Sequence, residues 1–99
     1  MQVHIQVDNS SIVPLREVVG ASSLIMDVPE GSTINDLLLR LDKTFGPAFK
    51  KVTGKKLYDR VIVRYRVFLN NRGLWLPRQL RSELKDGDAV IILLPSGGG

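Results

Sequence analysis

The stretch that most constrains the fold is AVIILLP, residues 89–95, which directly follows LKDGD. Every side chain from 89 to 94 is apolar, so the segment cannot alternate between a wet and a dry face. A strand of this composition is covered on one face by a helix and flanked by neighbours on both edges. It is expected to be central. The LKDGD segment before it reads as a tight turn.

The chain has 99 residues, 43% hydrophobic and 24% charged, a composition that suits one soluble globular domain. No apolar run approaches the roughly 18 residues that span a bilayer. The opening MQVHIQVDN lacks the charged and apolar regions of a signal peptide. A cytoplasmic location is expected. There is no cysteine, which removes disulfides, thiolate metal ligands and a cysteine nucleophile. His4 is the one histidine and sits mid-strand, so neither a metal site nor a Ser-His-Asp triad is expected.

QVHIQV, residues 2–7, places Val3, Ile5 and Val7 on one face of a half-buried strand. DNSS reads as a turn. PLREVVG, residues 14–20, reads as a short helical turn with Gly20 as its stop. SSLIMDV is a second short strand. Thr33 is placed as an N-cap with Asp36 three residues on. Ile34, Leu37, Leu38, Leu41 and Phe45 then recur at helical spacing, and Gly46-Pro47 is read as the end of that helix. Residues 47–60 read as a basic loop with at most a helical turn. VIVRYRVFLN reads as a long strand, with Val61, Val63, Tyr65, Val67 and Leu69 on one face and Arg64 and Arg66 on the other, beside Ile62 and Phe68. NNRG reads as a hairpin turn, and LWL as a short strand cut off by Pro77.

One amphipathic helix must therefore cover one face of a mixed sheet of four to five strands. The fold class is α+β, with the first and last strands side by side in the middle.

Four segments sharpen this order: LREVVG (15–20), VPEGSTINDLL (28–38), LNNRG (69–73) and LKDGDAVIILLPSGGG (84–99). Together they make the chain resemble the sulfur-carrier branch of the β-grasp, ubiquitin-like fold. That branch holds the small subunit of molybdopterin synthase, the thiamine-biosynthesis sulfur carrier, and the archaeal small modifiers and ubiquitin-related modifiers. Leu84, Asp86, Gly87 and Asp88 match the family's turn; Pro95, Gly98 and Gly99 match its tail, with Gly97 at a variable position. Leu94 and Asn71 depart from residues common among relatives. The resemblance implies a β-grasp domain over 1–94 and a flexible diglycine tail over 95–99.

It also implies what the tail does. An ionised carboxylate is a poor electrophile. A ubiquitin-activating-type adenylyltransferase would spend ATP to adenylate Gly99, and no cofactor is bound by the chain itself. Sulfur would then replace AMP to give a thiocarboxylate, as in molybdopterin biosynthesis with a catalytic large subunit. Alternatively, a target-protein lysine would replace AMP, making the chain a protein modifier. Either way it is a carrier or a non-catalytic subunit, not an enzyme. Gly98 and Gly99 lack a Cβ and suit a narrow channel; five residues from Pro95 reach about 17 Å. Phe68, Arg64, Arg66, Arg72 and Pro95, with Ile62, Leu74 and Trp75, are the expected partner-docking residues. A remote alternative is a basic nucleic-acid-binding module built on Arg64, Arg66 and the lysines at 50, 51, 55 and 56, consistent with a net charge of +4.

Overall fold

The computed structural model describes residues 1–7 and 14–93. The DNSS turn and Pro95, Gly97, Gly98 and Gly99 lie outside them. In chain order the elements are β1 (Gln2–Val7), α1 (Pro14–Val19), β2 (Ser23–Asp27), α2 (Ile34–Thr53), α3 (Leu57–Arg64), β3 (Arg66–Leu69), β4 (Arg72–Gly73) and β5 (Ala89–Leu93). The strands form one mixed sheet in the order β2-β1-β5-β3-β4. β5 pairs parallel with β1 and antiparallel with β3, so the apolar segment is central, as its composition requires.

The LKDGD turn stitches β5 to β1. Gly87 takes a positive φ of 85°. Asp86 Oδ1 accepts the Gln2 N–H at 2.7 Å, Asp88 Oδ2 accepts the Lys85 N–H at 2.8 Å, and the Asp88 carbonyl accepts the His4 N–H at 2.9 Å. The hairpin between β3 and β4 turns on Asn70 and Asn71, both at positive φ, the conformation that a two-residue hairpin demands. Period-2 burial puts Val3, Ile5, Val7, Val67, Val90 and Ile92 on the inner face, where Leu37, Leu38 and Leu41 of α2 belong to the same core. Each such side chain contributes on the order of 2 kcal/mol by leaving water.

Thr33 and Asp36 close a reciprocal capping box at the start of α2. The Ile34 and Asn35 N–H groups donate to the Ser82 and Leu80 carbonyls, so tertiary contacts satisfy donors that a helix start leaves open.

Three expectations are corrected. First, α2 does not stop at Gly46-Pro47; it runs to Thr53 and ends on Gly54 at φ 73°, whose N–H bonds to the Lys50 carbonyl. A proline inside a helix costs about 3 kcal/mol. The opposing gain is Phe49, four residues after Phe45 on the same stripe and 1% exposed. Gly46 serves another purpose. A Cβ there would lie 2.9 Å from Asp42 Oδ1, and that oxygen accepts the Tyr58 N–H in the first turn of α3. Lys56, the N-cap of α3, makes no side-chain cap bond. Gly46 thus leaves room for a carboxylate of one helix to cap the next.

Second, the supposed loop and long strand contain α3. Val61 and Tyr65 are buried in either conformation, because spacings of two and of four both pass through them. Val63 decides between them. A strand would bury it, but it lies in α3 at 74% exposure. Leu57 and Val61, four apart, are the buried pair that holds this helix. Arg64 therefore ends a helix and does not share a strand with Arg66.

Third, LWL is not a strand. β4 is Arg72–Gly73, and the Leu74 N–H adds one more ladder bond, to the Val67 carbonyl. The Trp75 N–H then turns to Gln79 Oε1 at 2.7 Å. Among the described residues no helix is long and apolar enough to cross a membrane.

Candidate functional site

α1, α2 and α3 contribute Leu15, Phe49 and Val61 to the same core as the inner sheet face. The register sets the opposite face. Gln6, Ile91, Phe68 and Gly73 lie in one cross-strand row, and Leu93 pairs with Arg66 in the next towards the end of β5. Ile91, Leu93 and Phe68 are half-buried here, whereas Arg66 is exposed. Phe68 lies over Gly73, where an added Cβ would meet its ring at 3.4 Å, in ordinary van der Waals contact.

Two shallow grooves meet at this edge of the sheet. One, of about 230 Å³, is walled by Ile62, Val63, Arg64, Arg66, Leu74 and Trp75. The other, about 150 Å³, continues over Phe68 and Gly73 and shares Arg66, Leu74 and Trp75 with it. Trp75 is 75% exposed.

The structure thus brings together Phe68, Arg64, Arg66, Ile62, Leu74 and Trp75, although Arg64 and Ile62 arrive on a helix. Ile62 and Leu74 also pack against the core. Arg72 stands apart: it pairs with Leu69, on the row of inner-face parity, and is exposed at the hairpin. Ile91 and Leu93 were missed as surface candidates. Their signal was present, because a strand apolar on both faces beside one helical layer leaves one apolar face uncovered. Val63 was missed because it was assigned to a strand.

Tyr65 joins α3 to β3 and is buried. Burial pushes its phenol above the ordinary value of 10.0, opposed by the nearby Arg60 charge and a hydrogen bond with the Leu15 backbone. Among the described residues no group of three or more His, Cys, Asp and Glu side chains could hold a metal ion. What this face offers chemically is recognition: an apolar strip with guanidinium groups at its margin, next to the residue from which the final segment departs.

Residues 13–99 match the ThiS family. No curated protein is similar enough in sequence to count as a relative. Among solved structures, small archaeal modifier protein 1 of Methanosarcina acetivorans is 26% identical, with 99% of this chain and 96% of that chain covered at a TM-score of 0.67. The HVO 2177 protein of Haloferax volcanii is 26% identical, over 100% and 87% of the two chains, at 0.72. Subunit 1 of the molybdopterin-converting factor from Helicobacter pylori, solved with subunit 2, covers 100% of both chains at 17% identity and 0.54, a likeness of fold alone. The sheet order, the helix across it and these likenesses identify the β-grasp fold, and the chain belongs to the ThiS family of ubiquitin-like sulfur carriers and modifiers.

Proposed function

We propose that this chain is a sulfur carrier activated at the carboxylate of Gly99. The observation that carries the reading is the family match extending through residue 99, together with the central place of β5, whose last residue is Leu93. The Gly99 carboxylate attacks the α-phosphorus of ATP on a ubiquitin-activating-type adenylyltransferase and pyrophosphate leaves. A hydrosulfide equivalent then attacks the acyl carbon, AMP leaves, and a thiocarboxylate remains. On this reading the acceptor is a large subunit and the route is molybdopterin synthesis, by analogy with the fold-related subunit 1 solved with subunit 2.

The test is intact mass spectrometry of the chain after incubation with ATP, a sulfide donor and the adenylyltransferase of the same organism. The unreacted mass first establishes that Gly99 ends the chain. Replacement of one terminal oxygen by sulfur is expected, and removal of Gly99 abolishes it. An unchanged mass in the presence of pyrophosphate release overturns the sulfur reading.

The likeness to a small archaeal modifier favours a second reading, in which a lysine amine displaces AMP and an isopeptide bond forms. Gly99-linked lysines in peptides from denatured extracts are its signature.

A further inference from the structure

Charge is divided along this chain. Residues 43–81 hold 11 of the 14 Lys and Arg but only one of the 10 Asp and Glu, Asp59. The fold keeps that segment together as the second half of α2, α3, the β3–β4 edge and the turn after it. Arg64 and Arg66 are exposed there, and between them and Trp75 lies the groove of about 230 Å³ with Ile62, Val63 and Leu74 in its wall. Arg66 is also the cross-strand partner of Leu93. The groove therefore begins one residue pair away from the point where the chain passes to residue 94.

We infer that this groove receives an acidic, partly apolar rim of the enzyme that adenylates the tail; the inference rests on the reading of Gly99 as the adenylated residue. An enzyme that holds Gly99 has its active site within about 20 Å of Leu93, the reach of six extended residues. Its body must then face this end of the sheet. The guanidinium groups of Arg64 and Arg66 are suited to paired carboxylates, and a local excess of cations speeds encounter with an acidic surface. An exposed tryptophan with arginines around an apolar centre has the make-up of a protein interface. Single-stranded nucleic acid is served less well. It needs several aromatic faces for successive bases, whereas Tyr65 is buried, Phe68 is half-covered, and Trp75 alone stands out.

The experiment measures ATP–pyrophosphate exchange by the same organism's adenylyltransferase as a function of carrier concentration. Arg64→Glu with Arg66→Glu is compared with Lys50→Glu with Lys51→Glu, an equal change of net charge away from the groove. The expected result is a KM raised about tenfold or more for the arginine pair, with kcat within about twofold, and a smaller effect of the lysine pair. The gap from wild type narrows as salt rises from about 0.05 to 0.5 M. Arg64→Ala with Arg66→Ala, checked by circular dichroism, gives the same ordering without introducing new charge. Equal KM values for the arginine and lysine pairs overturn the inference while leaving adenylation standing. So does an arginine pair that loses binding of a fluorescent oligouridylate but keeps its KM, which marks the groove as a nucleic-acid site. Failure of the wild-type chain itself to support exchange overturns the adenylation reading, and the inference falls with it.

Discussion

Gly46 and Asp42 allow the two-helix arrangement to be tested by a thermodynamic cycle. Gly46→Ala adds helix propensity worth about 1 kcal/mol in a helix interior. The new Cβ, however, would lie 2.9 Å from Asp42 Oδ1 and displace the carboxylate that caps Tyr58. A lost cap costs about 1 kcal/mol. The two effects nearly cancel, so Gly46→Ala alone should change stability by less than about 0.5 kcal/mol. Asp42→Ala alone should cost about 1 kcal/mol. In the Asp42→Ala background the cap is already gone and nothing crowds the added methyl. Gly46→Ala should there stabilise by about 1 kcal/mol, or roughly 4–8 °C in Tm. Urea unfolding followed by circular dichroism reads all four corners. The coupling is expected near 1 kcal/mol, and faster hydrogen exchange at the Tyr58 amide should accompany Asp42→Ala. If Gly46→Ala destabilises both backgrounds equally, Gly46 is a helix stop after all and the reasoning fails.

Phe49→Ala should cost about 3–5 kcal/mol by leaving a cavity under α2, measured by the same unfolding; a loss below about 1 kcal/mol is what a surface loop would give. Thr33→Ala removes one half of the capping box and should cost about 1 kcal/mol, read as a shift in the urea midpoint with unchanged slope. Tyr65 supplies a pH prediction. Its folded phenol titrates above 10.0 because of burial, so the folded state holds its proton longer than the unfolded state does. Its stabilising contribution is complete below about pH 10 and is lost as pH rises through the folded value. Tyr65→Phe should flatten that alkaline loss, and an unchanged slope of stability against pH above 10 would sink the assignment.

The parts of the fold that were legible are those where one local pattern had no rival. QVHIQV alternates cleanly, Thr33-x-x-Asp36 announces a helix start, NNRG requires positive φ, and AVIILL has no polar side to show to water. Residues 46–65 were misread because local and tertiary signals conflict there. Gly46-Pro47 is a strong stop in isolation, yet the burial of Phe49 lies on the far side of it. Leu57, Val61 and Tyr65 fit a helix while Val61, Val63 and Tyr65 fit a strand, and only the solvation of Val63 separates the two. The candidate site was legible in the same uneven way. Phe68 and Arg66 could be placed from strand parity, whereas the tail motif lies outside the described residues. Arg64, Ile62 and Val63 reach the groove only because α3 turns them there, which no short-range pattern announces.

β5 also has a mechanical meaning. It is bonded along both edges, to β1 on one side and β3 on the other. A partner that draws the final residues into its own interior pulls along the axis of this strand. The load then falls on both ladders together, in shear, and does not peel one bond at a time from an edge. The parallel neighbour β1 is itself tied to the LKDGD turn through Asp86 and Asp88, so tension is passed into the body of the sheet. If the chain is the sulfur carrier proposed above, an enzyme that grips its last residues pulls on the whole sheet and not on one edge strand.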